Sequence, residues 1–592
     1  MDKMKNNKFT GKVLVIGCGS VAQCAIPLIP KILGVPHKNI SIIDFVDNRH
    51  RVKDSIKMGV TYDVDKITPE NYSVRLKEYV GRGDLIIDLA WNIETISMLE
   101  WCRENGVLYI NTSVEEWDPY KDKERKDPTR YTLYFRQMQI KEMIRKWGDN
   151  EGPTAIVDHG ANPGLVSHFT KYALIDIAKK IIKEKPNDKR RAALQKAIDE
   201  KNFPMLGMLT GTKVIHISER DTQITNKPKE VNEFVNTWSI EGFYEEGVAP
   251  AELGWGTHER WIPVDAHFHK SGPGNQICLE SMGMKTWVRS WVPCGEITGM
   301  VVRHGEAFGI SDRLTVWKDG EAIYRPTVHY AYCPTDCAIN SLHELEMRGY
   351  KMQAKQRIMS DEIIDGRDEL GVLLMGHDFK SWWTGSLLDI HTARKLVPHQ
   401  QATVLQVAIS AVAAAKWMIQ NPRKGFNLPD DIDHEFILNV SMPYIKPFVS
   451  QPVDWTPLKN INKKFVNFDM KKFKDDDVWQ TNDYALYTKG LDGLRKVGLL
   501  KDQKIIGYRV ARIEKCYPMY KIGYQEHVKV IKDFLATFDN LVLVGRNGTF
   551  KYLNIDHVIE QGMKCAENLA EGKKHDLDEV GSEKEYQEEK KK

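Results

Sequence analysis

Excess charge of either sign, paired cysteines and long apolar runs are all scarce in this chain of 592 residues. Lys and Arg number 84 against 81 Asp and Glu, and a formal net charge of +3 gives no polyanion-attracting field, so no nucleic-acid partner is expected. The nine cysteines are scattered rather than set in a dense framework, which suits a reducing compartment. Cys333 and Cys337 stand as CxxxC, but no second pair accompanies them, and a structural zinc needs four ligands. His258, His267 and His269 form only a loose group and are expected to be satisfied or surface histidines. No apolar run approaches the roughly 18 residues of a membrane span, and Met1 to Lys8 is polar and basic with no hydrophobic region behind it. A cytoplasmic protein with no membrane partner is expected. Residues that are 42% hydrophobic and 28% charged describe an ordinary globular chain, long enough for several cores.

What is present has a clear order. GKVLVIGCGSVAQCAIPLIPKIL reads as a buried strand from Lys12 to Ile16, a glycine turn and a helix to about Leu33. NISIIDFVD, DLIIDLAWN and VLYINTS are further short strand runs separated by helical patterns, which predicts a doubly wound parallel sheet over residues 1–155. From TAIVDHGANPGLVSHF onward, alternating stretches such as KVIHISERDTQIT and EAFGISDRLTVW predict an antiparallel or mixed sheet in an α+β domain over residues 156–395. The Ala-rich segment 399–419 predicts a buried helix within a region, 396–458, that packs back on the first domain. Pro443, Pro447, Pro452 and Pro457, followed by Asn462, Lys463 and Lys464, mark a boundary near 459, with a small unit over 459–570 and a charged, solvated tail over 571–592.

Three segments carry chemistry. Gly17, Gly19 and Ala22 form G-x-G-x-x-A between a strand and a helix, where backbone amides and the helix N-terminus, at Ser20 and Val21, can receive a pyrophosphate. Asp44, ending the next strand, can accept bonds from an adenosine ribose and repels a 2′-phosphate, which favours NAD over NADP. Asn162 stands in an Asn-Pro-Gly turn ahead of a helix, at a domain junction where open sheets place ligands. The segment NTWSIEGFYEEGVAPAELGWGTHERW sets Glu241, Glu245, Glu246, Glu252 and Glu259 among Trp238, Phe243, Tyr244, Trp255 and Trp261. Carboxylates beside aromatic faces suit an organic ammonium ligand through ion pairing and cation–π attraction.

Through GCGSVAQ, DHGANPGLVSHF, ISERDTQ, NTWSIEGFYEEGVAPAELGWGTHE, VRHGEAF and DELGVLLMGH, residues 12–458 resemble the bacterial-type homospermidine synthases of the saccharopine dehydrogenase-like group. That resemblance implies a homodimeric enzyme that joins two putrescines into homospermidine and releases ammonia, with NAD kept as a prosthetic group. It implies an aromatic face from Trp238 for a cationic intermediate, with Glu246 as the carboxylate beside it. Asn162 and Glu219 would bind a terminal amine. His304 and Glu306 would sit near the central amine as proton handler and anchor. Glu115 would lie by the nicotinamide or the outer amine, where Asp368 is a further candidate. Asn92 stands where an acidic residue is expected after the LIID strand, and with Thr112 it completes the cofactor-facing set.

The third unit resembles something else. WQTNDYALYTKGLDGLRKVGLL, YRVARIEKCYPMY and NLVLVGRNGTFKYLNIDHVIEQGMKCAENL are similar to the C-terminal end of amine-oxidase and protoporphyrinogen-oxidase-like flavoproteins, in which a segment like Gly545 to Gly548, with Asp556 opening the last helix, closes over FAD. The glycine loop for the ADP part of FAD has no second copy in the chain, so a fused remnant or interaction module is expected in place of a flavin site. Two rivals to the synthase reading stand: a saccharopine or carboxynorspermidine dehydrogenase-like enzyme, which would need Arg or Lys for a substrate carboxylate, and a noncatalytic flavin- or polyamine-binding protein.

Overall fold

The computed structural model describes residues 8–119, 127–260, 262–457, 480–496, 510, 523–551, 553 and 555–580. The chain divides into two units, Met1–Lys459 and Asn460–Lys592.

In the first unit, Val13–Ile16 is buried at every position, as a central parallel strand with helices on both faces must be. Ile40–Asp44 and Leu85–Asp88 flank it in parallel. Across the sheet the order is Phe426–Asn427, Ala155–Ile156, Leu108–Asn111, Leu85–Asp88, Val13–Ile16, Ile40–Asp44 and Thr61–Val64, every pairing parallel. The order reverses at Val13–Ile16, and in such sheets the crevice beyond the carboxyl ends of the strands at that point receives the ligand. The helix Ser20–Leu33 follows the glycine turn, and Ala402–Gln420 packs against it. That second helix corrects the statement that no apolar run approaches the length of a membrane span. Among the described residues it alone has the length and hydropathy to cross a membrane, but 78% of its apolar window is buried inside the protein, as befits a core helix.

A ten-stranded mixed sheet forms the second layer system. At its centre Thr327–Cys333 runs parallel to Val214–Asp221, and Arg367–Met375 pairs antiparallel on the other side, followed by Ser381–Asp389. Phe448–Val453 extends this sheet, so residues 396–458 serve both domains rather than the first alone. EAFGISDRLTVW is corrected as well: Gly305–Arg313 is a helix, and only Val316–Lys318 is strand. Gly305 through Ser311 are all buried, and a helix buried on every side loses the polar-apolar period that would distinguish it from a strand.

The second unit contains the helices Asp483–Lys496, Tyr524–Leu535 and Ile555–Glu571, with a short turn of helix at Gly545–Gly548. Gly545 N–H donates to Gln561 Oε1 at 2.7 Å, and Arg546 Nε to the Leu553 carbonyl at 2.8 Å. The segment 508–520 lies, apart from Val510, outside the described residues. The tail is corrected in part. Gln561 Nε2 donates to the Leu577 carbonyl, His575 pairs with Glu567, and Val580 is buried, so residues up to 580 fold against the last helix.

Candidate active site

Local backbone chemistry builds the cofactor crevice. Gly17 has φ 84°, and a Cβ there would stand 3.0 Å from the Ala90 backbone, so only glycine makes this turn. Gly19 caps Ser20–Leu33, and a Cβ at Gly19 would meet nothing within 4 Å, which leaves the helix N-terminus open to a phosphate. Ser20 and Val21 begin the helix. Asp44, buried at the end of its strand, accepts bonds from the backbone N–H groups of Cys18 and of Val46, the latter at 2.8 Å. These two bonds tie the glycine turn to the strand end and leave lone pairs for a further donor. Asn92 follows Leu85–Asp88 with φ 61°, and its buried Oδ1 has no partner among the described residues. Thr112 follows Leu108–Asn111 and lies against Gly160. A glycine cradle, an open helix end, an acidic strand terminus and an orphaned amide oxygen fit a dinucleotide.

A second constellation grows from one strand. Tyr330 and Tyr332 are two apart on Thr327–Cys333, so both side chains face the same way, and their rings stack at 5.0 Å. The Tyr332 hydroxyl accepts from Trp238 Nε1 at 2.9 Å, and the Trp238 indole packs at 5.4 Å on Phe243. The Tyr330 hydroxyl donates to Glu219 Oε2 and accepts from Asn162 Nδ2, which also donates to Glu219. The His304 ring meets Tyr330 edge-on at 4.4 Å. Its Nε2 lies 3.2 Å from Glu246 and its Nδ1 3.2 Å from Glu306. Six expected residues, Trp238, Asn162, Glu219, His304, Glu246 and Glu306, are thus joined through two tyrosines.

Electrostatics here are dominated by buried acids. Burial pushes the Glu219 carboxyl up to about 7, with the neighbouring Asp221 adding to the rise. Asp368, on the adjacent strand, is raised well above the usual range by burial and by Glu219 and Asp221, and its Oδ1 has no partner among the described residues. Asp158 is pushed up to about 7 by burial and by Glu306. His304 is raised as well, but by its partners: burial opposes its charge, and Glu246 and Glu306 hold the imidazolium up to about 10. Near neutral pH the charged form of His304 is thus favoured, paired with Glu246 and Glu306.

Glu115 is not in direct contact with the tyrosine group. Ser113 donates to its Oε1 at 2.6 Å, its buried Oε2 is unpartnered among the described residues, and burial followed by the Glu245 charge raises it to about 7. The acidic segment is less uniform than its composition suggests. Glu245 is paired with Arg136 and Arg303; Glu252 accepts from the Leu133 and Tyr134 N–H groups and from Gln276; Glu259 accepts from Thr327. Of the five, Glu246 alone reaches His304, and Trp261 lies outside the described residues. Arg136 and Arg303 bring two cationic side chains to this acidic region, and Glu245 engages both. Sequence reasoning missed Tyr330, Tyr332, Asp158 and Asp221. The alternation HYAY on a strand was the available signal for the tyrosines, whereas Asp158 and Asp221 sit inside quoted motifs but had no pattern of their own.

Comparison with known proteins bears on this arrangement. Residues 13–156 match the saccharopine dehydrogenase NADP binding domain, and residues 160–453 the saccharopine dehydrogenase C-terminal domain. The chain is 38% identical over 471 residues to the homospermidine synthase of Mesorhizobium japonicum, covering 77% of this chain and 95% of that protein. It is 40% identical over 462 residues to the homospermidine synthase of Blastochloris viridis, covering 76% and 93%. Among solved structures, the homospermidine synthase of Legionella pneumophila in complex with NAD is 37% identical, with a TM-score of 0.69 over 79% of this chain and 97% of that one.

Proposed function

The chain belongs to the homospermidine synthase family, and from that premise we propose that it condenses two putrescines into homospermidine with release of ammonia, using NAD held in its site. Gly17, Gly19, Ser20 and Val21 would hold the pyrophosphate, Asp44 the adenosine ribose, and Asn92 and Thr112 the side toward the substrate. NAD, when bound, supplies reversible hydride transfer: uptake from one amine carbon and return to the condensed imine.

The observation that carries the reading is the surplus of buried, high-lying carboxylates beside aromatic faces, with one oxygen of Asp368 unpartnered among the described residues. A buried carboxylate without a counterion stays protonated or awaits a cation. Putrescine is a dication at neutral pH and brings that charge. Its terminal ammonium fits Glu219 and Asn162, with Asp368 for the outer end. The Trp238 face serves the cationic intermediate, with Glu246 at its side. His304 enters charged; an arriving ammonium competes for Glu246 and Glu306, lowers the imidazolium pKa, and so makes Nε2 or Nδ1 a proton donor to the leaving ammonia. Glu115 handles a proton at the outer amine. The carboxylate-binding rival requires a free guanidinium, and Arg136 and Arg303 are engaged by Glu245.

The protein is further proposed to act in the cytoplasm as a homodimer, which light scattering of the purified chain tests. The reaction is tested by mass spectrometry of the product from putrescine and NAD. Homospermidine and ammonia in equal amounts are expected, and a product requiring an amino-acid substrate would overturn the assignment.

A further inference from the structure

The mechanism just described gives no role to the buried ionic centre formed by Arg136, Glu245 and Arg303. Arg136, Glu245 and Arg303 are 6%, 7% and 4% exposed. Glu245 Oε1 accepts from Arg136 Nη2 at 2.6 Å and from Arg303 Nη2. Arg136 Nη1 donates to the Val114 carbonyl at 2.7 Å, and its Nη2 also lies 3.2 Å from Glu116; Arg303 Nη1 donates to the Tyr131 carbonyl. Four of these residues stand next to a group in the proposed site: Val114 and Glu116 flank Glu115, Glu245 precedes Glu246, and Arg303 precedes His304. Four segments distant in sequence meet at this centre: the helix Leu133–Trp147 with Arg136, the helix Ile240–Val248 with Glu245, the N-terminus of Gly305–Arg313 after Arg303, and, through Arg136, the loop after Leu108–Asn111.

Resting on the proposed synthase reading, we infer that Glu245, clamped between Arg136 and Arg303, is a positioning residue that fixes Glu246 against His304 and holds Glu115 in register with them. The physical reason lies in the rigidity of a two-guanidinium, one-carboxylate centre away from water. Its planar donors admit few geometries, so a displacement of any one segment is resisted by the others. The centre also sets the local charge. Glu115 faces Glu245, Arg136 and Arg303, with Asp88 and Ser113 nearby; Glu245 raises its pKa and the two arginines lower it.

The test uses the full-length enzyme with NAD and putrescine. Parental enzyme is assayed first, because an absence of homospermidine there refutes the synthase reading rather than the clamp. Given active parent, Glu245→Gln removes the charge and keeps the shape, and kcat should fall at least about tenfold while NAD loading is kept. Because the two arginines then act on Glu115 without the opposing Glu245 charge, the acid limb of the kcat/KM profile should move to lower pH. Glu245→Asp should recover part of kcat and return the limb toward its parental position. A folded Glu245→Gln enzyme with kcat within twofold of parent and an unmoved acid limb overturns the inference. Should Glu245→Gln not fold, Arg303→Lys, which keeps the charge but not the fork, decides the matter: lowered kcat supports the clamp and unchanged kcat refutes it.

Discussion

Replacing Trp238 probes the proposed cation–π contact directly. The indole is partly buried, rests on Phe243 at 5.4 Å and is fixed by its 2.9 Å hydrogen bond to Tyr332. A desolvated cation over an indole face is worth about 2 kcal/mol, which at about 1.36 kcal/mol per tenfold is roughly 30-fold in rate if the contact is made in the transition state. Trp238→Ala should therefore lower kcat/KM for putrescine at least about 30-fold. Trp238→Phe keeps a weaker ring but gives up the bond to Tyr332, about 1 kcal/mol, so a loss of about 5- to 30-fold is expected. The assay is steady-state homospermidine formation by mass spectrometry, with NAD content and thermal melting measured on the same preparations. Both variants should retain NAD, because Trp238 lies outside the parallel sheet that carries the glycine turn. Near-parental turnover by a folded, NAD-loaded Trp238→Ala enzyme would refute the reasoning and leave Trp238 as a packing residue on Phe243.

Other consequences follow from the same geometry. Asp44→Asn should weaken NAD binding by about 1 to 3 kcal/mol, since the carboxylate that accepts from Cys18 and Val46 would lose charge and one acceptor; titration calorimetry checks this, and unchanged affinity moves the adenosine elsewhere. Putrescine binding near pH 7 should release protons, because a cation favours the ionised forms of Glu219 and Asp368; calorimetry in buffers of different ionisation enthalpy reads the number, and none released contradicts the site. Glu252 is raised to about 7 by burial, so its contribution to stability falls as pH rises from about 4.5 to about 7, while buried histidines such as His159 and His434, held low, contribute the opposite slope. Glu252→Gln removes only the first, so its stability relative to the parent should rise between denaturant melts at pH 5.5 and 7.5, and an unchanged difference contradicts this. Truncation after Leu458 should leave condensation largely intact, since the second unit begins at Asn460 and relatives are covered over 93–95% of their length by about three quarters of this chain. The purified full chain should show no 450 nm flavin band.

Much of this architecture could be read without coordinates where pattern and chemistry coincide. GCGSVAQ after VLVI is such a place, because a buried strand, a forced glycine turn and a helix leave few alternatives. Asn162, Glu219 and Trp238 were reachable through long motifs, but the reason they meet was not. They converge on Tyr330 and Tyr332, and strand pairing sets Glu219 beside Tyr332, a contact between residues 113 apart in sequence. Helix Gly305–Arg313 was misread as strand because burial on all sides erased its period. Glu245 looked like one more ligand-facing acid; its partners Arg136 and Arg303 lie 109 and 58 residues away, and spacing carries no information about them.

The central claim, that hydride leaves and returns within one closed site, is tested most directly with putrescine deuterated at both carbons that bear nitrogen. Incubation with the NAD-containing enzyme should yield homospermidine that keeps all the deuterium of its two precursors, with one ammonia per product and no growth of 340 nm absorbance. Homospermidine short of one deuterium, or NADH rising in step with product, would contradict the account.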